Sequence, residues 1–194
     1  MGLQRLSAIL LIVVSVTVIL GVLVNAPGLY ATQDINARLQ IIEANKTRWL
    51  ANQALTFLYI LLTLIGFAVL ASILRKTGSV WIPSLATVFI LAGSLSGGCF
   101  VYLQTIDPRG GYSGAYPLAE HLAYWFWLAG LLLFGITFLQ TNLPAWLGYL
   151  TAGIALAYGI FFLFTGAGFL TPFLMALLSL VIGIVLLRRQ IVAT

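Results

Sequence analysis

The sequence predicts an all-α protein, a polytopic transmembrane bundle of six spans with both termini on the cytoplasmic side. Three observations carry that prediction. Hydrophobic residues fill 62% of the 194 positions and charged residues only 7%, whereas a water-soluble domain carries about a quarter of its residues charged. Uncharged segments recur at the length of roughly 20 helical residues that crosses a hydrocarbon core. The links between them are short enough to force antiparallel neighbours.

The elements follow in order. The first expected span is Leu6–Val24, preceded by Arg5 and stopped by "NAPG"; it is longer than a signal-peptide core and is read as retained. The others are Trp49–Leu74, Val80–Leu103, Leu122–Leu139, Leu143–Phe164 and Phe169–Leu187. Residues 1–194 then form one transmembrane domain with no linker between units. Three connectors, "RKTGS", "QTN" and "TGAG", are tight, and two are long.

The first long connector holds an amphipathic segment over 31–48, external to the bilayer. Ile35, Leu39, Ile42 and Trp49 share one helical face, while Asp34, Arg38, Asn45 and Arg48 fall mainly on another. Asp34/Arg38 and Glu43/Lys46 stand at spacings that permit ion pairs. A helix running unbroken from Asp34 to Leu74 would be ~60 Å long, so a bend or an external stretch is expected.

Charge sets the orientation. The two long connectors share one side and hold all four acidic residues, Asp34, Glu43, Asp107 and Glu120, balanced by Arg38, Lys46, Arg48 and Arg109. The other side holds Arg5, Arg75, Lys76, Arg188 and Arg189 with no acid. The excess of basic residues in short cytoplasmic loops places that face inside. It also leaves the formal charge of +5 as a topology signal, since no basic cluster with interleaved aromatics points to nucleic acid.

Small residues recur at packing spacings: Gly93/Gly97, then Gly148, Ala152, Ala155 and Gly159, then Ala176, Ser179 and Gly183. Such stripes let helix backbones approach where lipid gives no hydrophobic drive. They predict contact inside the subunit or, through the fifth and sixth spans, with a protein partner or a second copy. A shift of 65 residues lays Tyr59 on Tyr124 and Trp81 on Trp146, the trace of a repeated hairpin in parallel sense.

Motifs for chemistry are absent from the sequence. No acidic or basic residue falls within the expected spans, which argues against ion-coupled carriers, proton pumps and voltage sensors. There is no HExxH, CxxC, P-loop or GxSxG. Cys99 is the single cysteine, so neither an intrachain disulfide nor a cysteine metal knuckle can form. No metal, cofactor or catalytic residue is assigned.

The densest polar stretch is "TIDPRGGYSGAYPLAEHLAYWFW", with Asp107, Arg109, Glu120 and the lone His121. Pro108 and glycines 110, 111 and 114 read as turn chemistry. Glu120 and His121 read as the start of a helix, whose dipole favours an acid there, with Tyr116, Tyr124, Trp125 and Trp127 forming an interfacial belt. Two alternatives stay open. Asp107, Arg109, Glu120 and His121, roofed by Arg38 and Arg48, would form an outward ligand-binding or enzymatic site in which an arginine pair holds an anion. Alternatively, His121 would contact a haem or pigment.

The pre-helix segment "NARLQIIEANKTRWLANQALTFLYILLTLI" and the later "LPAWLGYLTAGIALAYGIFF", together with six spans at this length, resemble a bacterial membrane family of the domain-of-unknown-function 4386 type. The resemblance implies the fold and a bacterial origin, and brings no activity or site residues. The expected function is that of a non-catalytic accessory or structural component of the bacterial inner membrane, packing with lipids and partner helices.

Overall fold

Apolar runs with charges confined to their ends build six long helices. These are α1 (Leu3–Val24), α3 (Lys46–Leu74), α4 (Trp81–Ile106), α6 (Pro117–Leu139), α7 (Ala145–Thr165) and α8 (Thr171–Arg188). Each is long and apolar enough to cross a membrane. Two short helices, α2 (Ile35–Ala44) and α5 (Pro108–Ser113), occupy the long connectors. The computed structural model describes residues 2–29, 32, 34–77, 80–113, 115–165, 170–189 and 191, and among these no strand forms. The expected start of the sixth span at 169, the "TGAG" link, and positions 31, 78, 79 and 114 lie at least partly outside them.

Packing follows the chain around a ring. α1 lies against α3, α3 against α4, α4 against α6 and α6 against α7, and α1 meets α8 to bring the ends together. α7 and α8 touch only lightly. α3 and α6, which run the same way, meet across the middle through Tyr59–Trp127 (5.8 Å between ring centres) and Phe67–Phe134 (4.9 Å). The fully buried core toward the ends of α3 and α6 is carbon-rich: Phe67, Leu70, Phe134 and Phe138.

Backbone approach fixes the helix pairs. A Cβ on Gly93 would stand 2.6 Å from the Trp127 ring, so α4 offers a notch that the indole fills. At Gly135 it would stand 2.6 Å from the Ala152 amide nitrogen, and at Gly183 2.8 Å from the Ala8 carbonyl oxygen. Gly148, Ala155, Ala176, Ser179 and Gly183 are buried, so most of the small-residue stripes seat helices within this chain. Interhelical hydrogen bonds add register. Ser7 donates to the Gly66 carbonyl (3.0 Å), Asn52 to Gly21 (2.7 Å) and Ser15 to Ala176 (2.6 Å).

The two ends differ. At one, Gln4 donates to the Leu186 carbonyl (2.7 Å) and to that of Arg189, and accepts from the Ile191 amide, binding the start of α1 to the end of α8. Arg5, Arg75, Lys76, Arg188 and Arg189 gather there, and it is called the basic end. The opposite end carries α2 and α5 and is called the capped end.

One expectation is met and two change in detail. The segment after Asp34 breaks at Asn45 (φ −126°, ψ 34°), where α2 stops and α3 begins. α3 itself, at 29 residues, measures ~43 Å against a ~30 Å hydrocarbon core, so its first turns stand outside. α6 opens at Pro117 rather than Leu122, drawing Glu120 and His121 into its first turns. The "DPRGGYS" turn is instead a short helix. Its glycines serve space rather than dihedral freedom: among the described residues the only positive glycine φ is at Gly28. A Cβ at Gly110 would meet Asp107 Oδ2 at 2.2 Å, and at Gly111 the Gln104 side chain at 2.6 Å.

Candidate functional site at the capped end

Asp107 ends α4 and starts α5, with Pro108 in the first helical position, where its missing N–H costs nothing. One carboxylate oxygen accepts from the Gly110 amide (3.0 Å) and the other from the Tyr116 hydroxyl (2.7 Å). These two donors, with the neighbouring Arg109 charge, hold the Asp107 carboxyl below its usual range. The same bond raises the Tyr116 phenol, because losing its proton would set two negative charges together.

The arginines work on the same cap. Arg109 donates through Nη2 to Asn36 Oδ1 on α2 (3.0 Å). Arg38 donates to the Thr32 carbonyl and lays its guanidinium 5.3 Å from the centre of the Tyr112 ring on α5, a cation–π contact. Asp34 does not pair with Arg38; it caps α2 by accepting from the Ala37 amide (2.7 Å). Beneath lies a second small core of Ala26, Leu29, Ile42 and Trp49, with Leu39, Ile41 and Tyr112 against it. The α2–α5 bridge therefore covers the capped end over α3 and α4.

The six residues singled out in the sequence separate into three groups. Arg38, Asp107 and Arg109 build the cap. Glu120 and His121 sit on α6 facing different partners: Glu120 Oε1 accepts from the Tyr124 hydroxyl (3.0 Å), and the imidazole lies 5.4 Å from the Phe162 ring. Arg48 stands apart, exposed beside Glu43 and Lys46 in a shallow groove at the α2–α3 break. Arg38 and Arg109 are each engaged within the cap, and Arg48 is not joined to them. Among the described residues no group of three metal-ligating side chains forms.

A feature that the sequence left unmarked lies deeper. Among the described residues, six buried side-chain atoms have no hydrogen-bond partner: Asn25 Oδ1, Trp49 Nε1, Tyr59 Oη, Thr63 Oγ1, Thr171 Oγ1 and Ser179 Oγ. Leaving such a group unsatisfied costs about 1–3 kcal/mol. Thr63 stands out chemically, because Thr17, Thr56, Thr87, Thr105, Thr137, Thr151 and Thr165 all bond back to the carbonyl four residues earlier. Tyr59 lies within electrostatic reach of Tyr124, as do Glu120 and Tyr158. Compared with protein-family models, curated proteins and solved structures, the chain matches none.

Proposed function

We propose that this membrane-embedded helical bundle is a non-catalytic accessory or structural component of a bacterial inner membrane, with its basic end and both termini in the cytoplasm. One observation carries the reading: Asp107 and Arg109, the charged pair that opens the richest stretch, are engaged in building the cap. Asp107 closes α5 on itself and on Tyr116, while Arg38 and Arg109 tie α5 to α2. Side chains held this way are positioned for architecture rather than for turnover. The five basic residues at one end support the orientation. The resemblance to the domain-of-unknown-function 4386 type stands with it as part of the same proposal.

Lipid is one partner. An apolar groove of about 320 Å³ runs between α1 and α8, lined by Val18, Ile19, Val22, Phe173 and Leu177, and fits an acyl chain. A protein partner or second copy meets the outward faces of α7 and α8, where Tyr149, Leu163, Phe164 and Ile184 are exposed. Purification in mild detergent tests this: a comigrating protein or a defined oligomer is expected, and a strictly monomeric, partner-free species contradicts it. The rival reading, in which His121 holds a haem or pigment, is separated by an absorption spectrum of the purified protein, where no visible band is expected.

A further inference from the structure

The unpartnered atoms are not scattered. Ser7–Gly66 and Asn52–Gly21 set the register of α1 against α3, Ser15–Ala176 that of α1 against α8. In this register Asn25 and Trp49 lie level at the capped end. Thr171 comes next, level with buried Gln53. Tyr59 and Ser179 stand near mid-height, and Thr63 is one turn beyond. Beyond Thr63 toward the basic end, the buried polar side chains among the described residues have partners: Ser7, Thr137, Thr141 and Thr151 all donate to carbonyls. The remaining space there is filled by Phe67, Leu70, Phe134, Phe138 and Leu147, all fully buried.

We propose that the bundle interior from the capped end to one turn past mid-height is a dead-end polar site, taking water and small uncharged hydrogen-bonding solutes that enter beneath the α2–α5 cap. Structural waters occur in globular proteins at about one per 27 residues, each bonding polar groups that lack other partners. Scattered waters would leave unpartnered atoms throughout the molecule, whereas here they descend from one end and stop. The donors and acceptors are hydroxyls, an indole N–H and an amide oxygen, with no charge among them. A neutral ligand is the chemistry they match. Glu120, bonded by Tyr124, and Asp107 of the cap are carboxylates near the entrance. The apolar layer makes the site blind, so it binds rather than conducts.

Hydroxyl-radical footprinting of the intact protein by pulsed X-rays tests the proposal, since radicals form at bound water. Tyr59 and Met175, both almost fully buried, the latter one turn from Thr171 and from Ser179, are the reporters. After correction for intrinsic reactivity they should be oxidised several-fold faster than Phe67 and Phe134. Loosening the cap with N36A/R109A should raise the rate further. Equal rates at all four positions, or faster oxidation of Phe67 and Phe134, overturn it. A second arm uses Thr63→Val, which removes the unpartnered hydroxyl at nearly constant shape. A hydrated site predicts a lower Tm, because the water network loses an anchor. A rise in Tm means that the hydroxyl was buried dry, and the proposal fails.

Discussion

Gly135→Ala isolates the packing that holds this bundle together. Its Cβ would stand 2.6 Å from the Ala152 nitrogen and 2.9 Å from the Gly148 oxygen, both backbone atoms, against the 3.4 Å at which ordinary contact begins. No side chain can rotate aside, so α6 and α7 must separate by nearly the missing distance, roughly an ångström. Overpacking of this kind costs about 1–3 kcal/mol, which is several degrees of Tm for a chain of this size. Gly153→Ala on α7 is the matched control, because nothing lies within 4 Å of its Cβ, and alanine is the better helix former. Thermal unfolding in detergent, followed by the monodisperse fraction on size exclusion, should show G135A melting several degrees below wild type and G153A at or above it. Equal melting of the two variants would refute the reasoning.

Three further outcomes are expected. Asn52→Leu removes the bond to the Gly21 carbonyl and should cost about 0.6–2 kcal/mol in thermal unfolding, the range for interhelical hydrogen bonds in lipid. Acid should loosen the cap: the Asp107 carboxyl is held below its usual range, so its contribution is complete above that range and is lost as pH falls through the native value. Protection against hydrogen exchange at residues 109–113, after division by the pH-dependent intrinsic rate, should then fall on acidification in wild type and lose that dependence in D107N. Arg38→Ala removes the guanidinium from the Tyr112 ring and should speed protease cleavage near α5 without moving the Tm of the bundle.

The spans were legible because an uncharged run of apolar residues leaves little choice in lipid, and charges mark its ends. Their starts were less so. Glu120 and His121 read as a helix start just ahead of the uncharged run, and α6 opens one turn earlier still, at Pro117. α5 escaped because Pro-Arg-Gly-Gly reads as a turn, although Asp107 followed by Pro108 is also a helix-start signal. The small-residue stripes foretold close approach without naming the partner; that Gly183 meets Ala8 across the length of the chain is a tertiary fact. The internal polar track was invisible for a similar reason. Thr56 and Thr63 are the same residue on the same helix, and only packing decides which one bonds back to its own backbone.

The most direct measurement is sidedness in sealed vesicles, using single cysteines at Lys76 and Arg109 in a Cys99→Ala background with a membrane-impermeant maleimide. Label should reach position 109 from the outside and position 76 only after the cytoplasmic face is opened, while a tag at either terminus behaves like position 76. Labelling of positions 76 and 109 from the same side would contradict a bundle of six spans with opposite basic and capped ends.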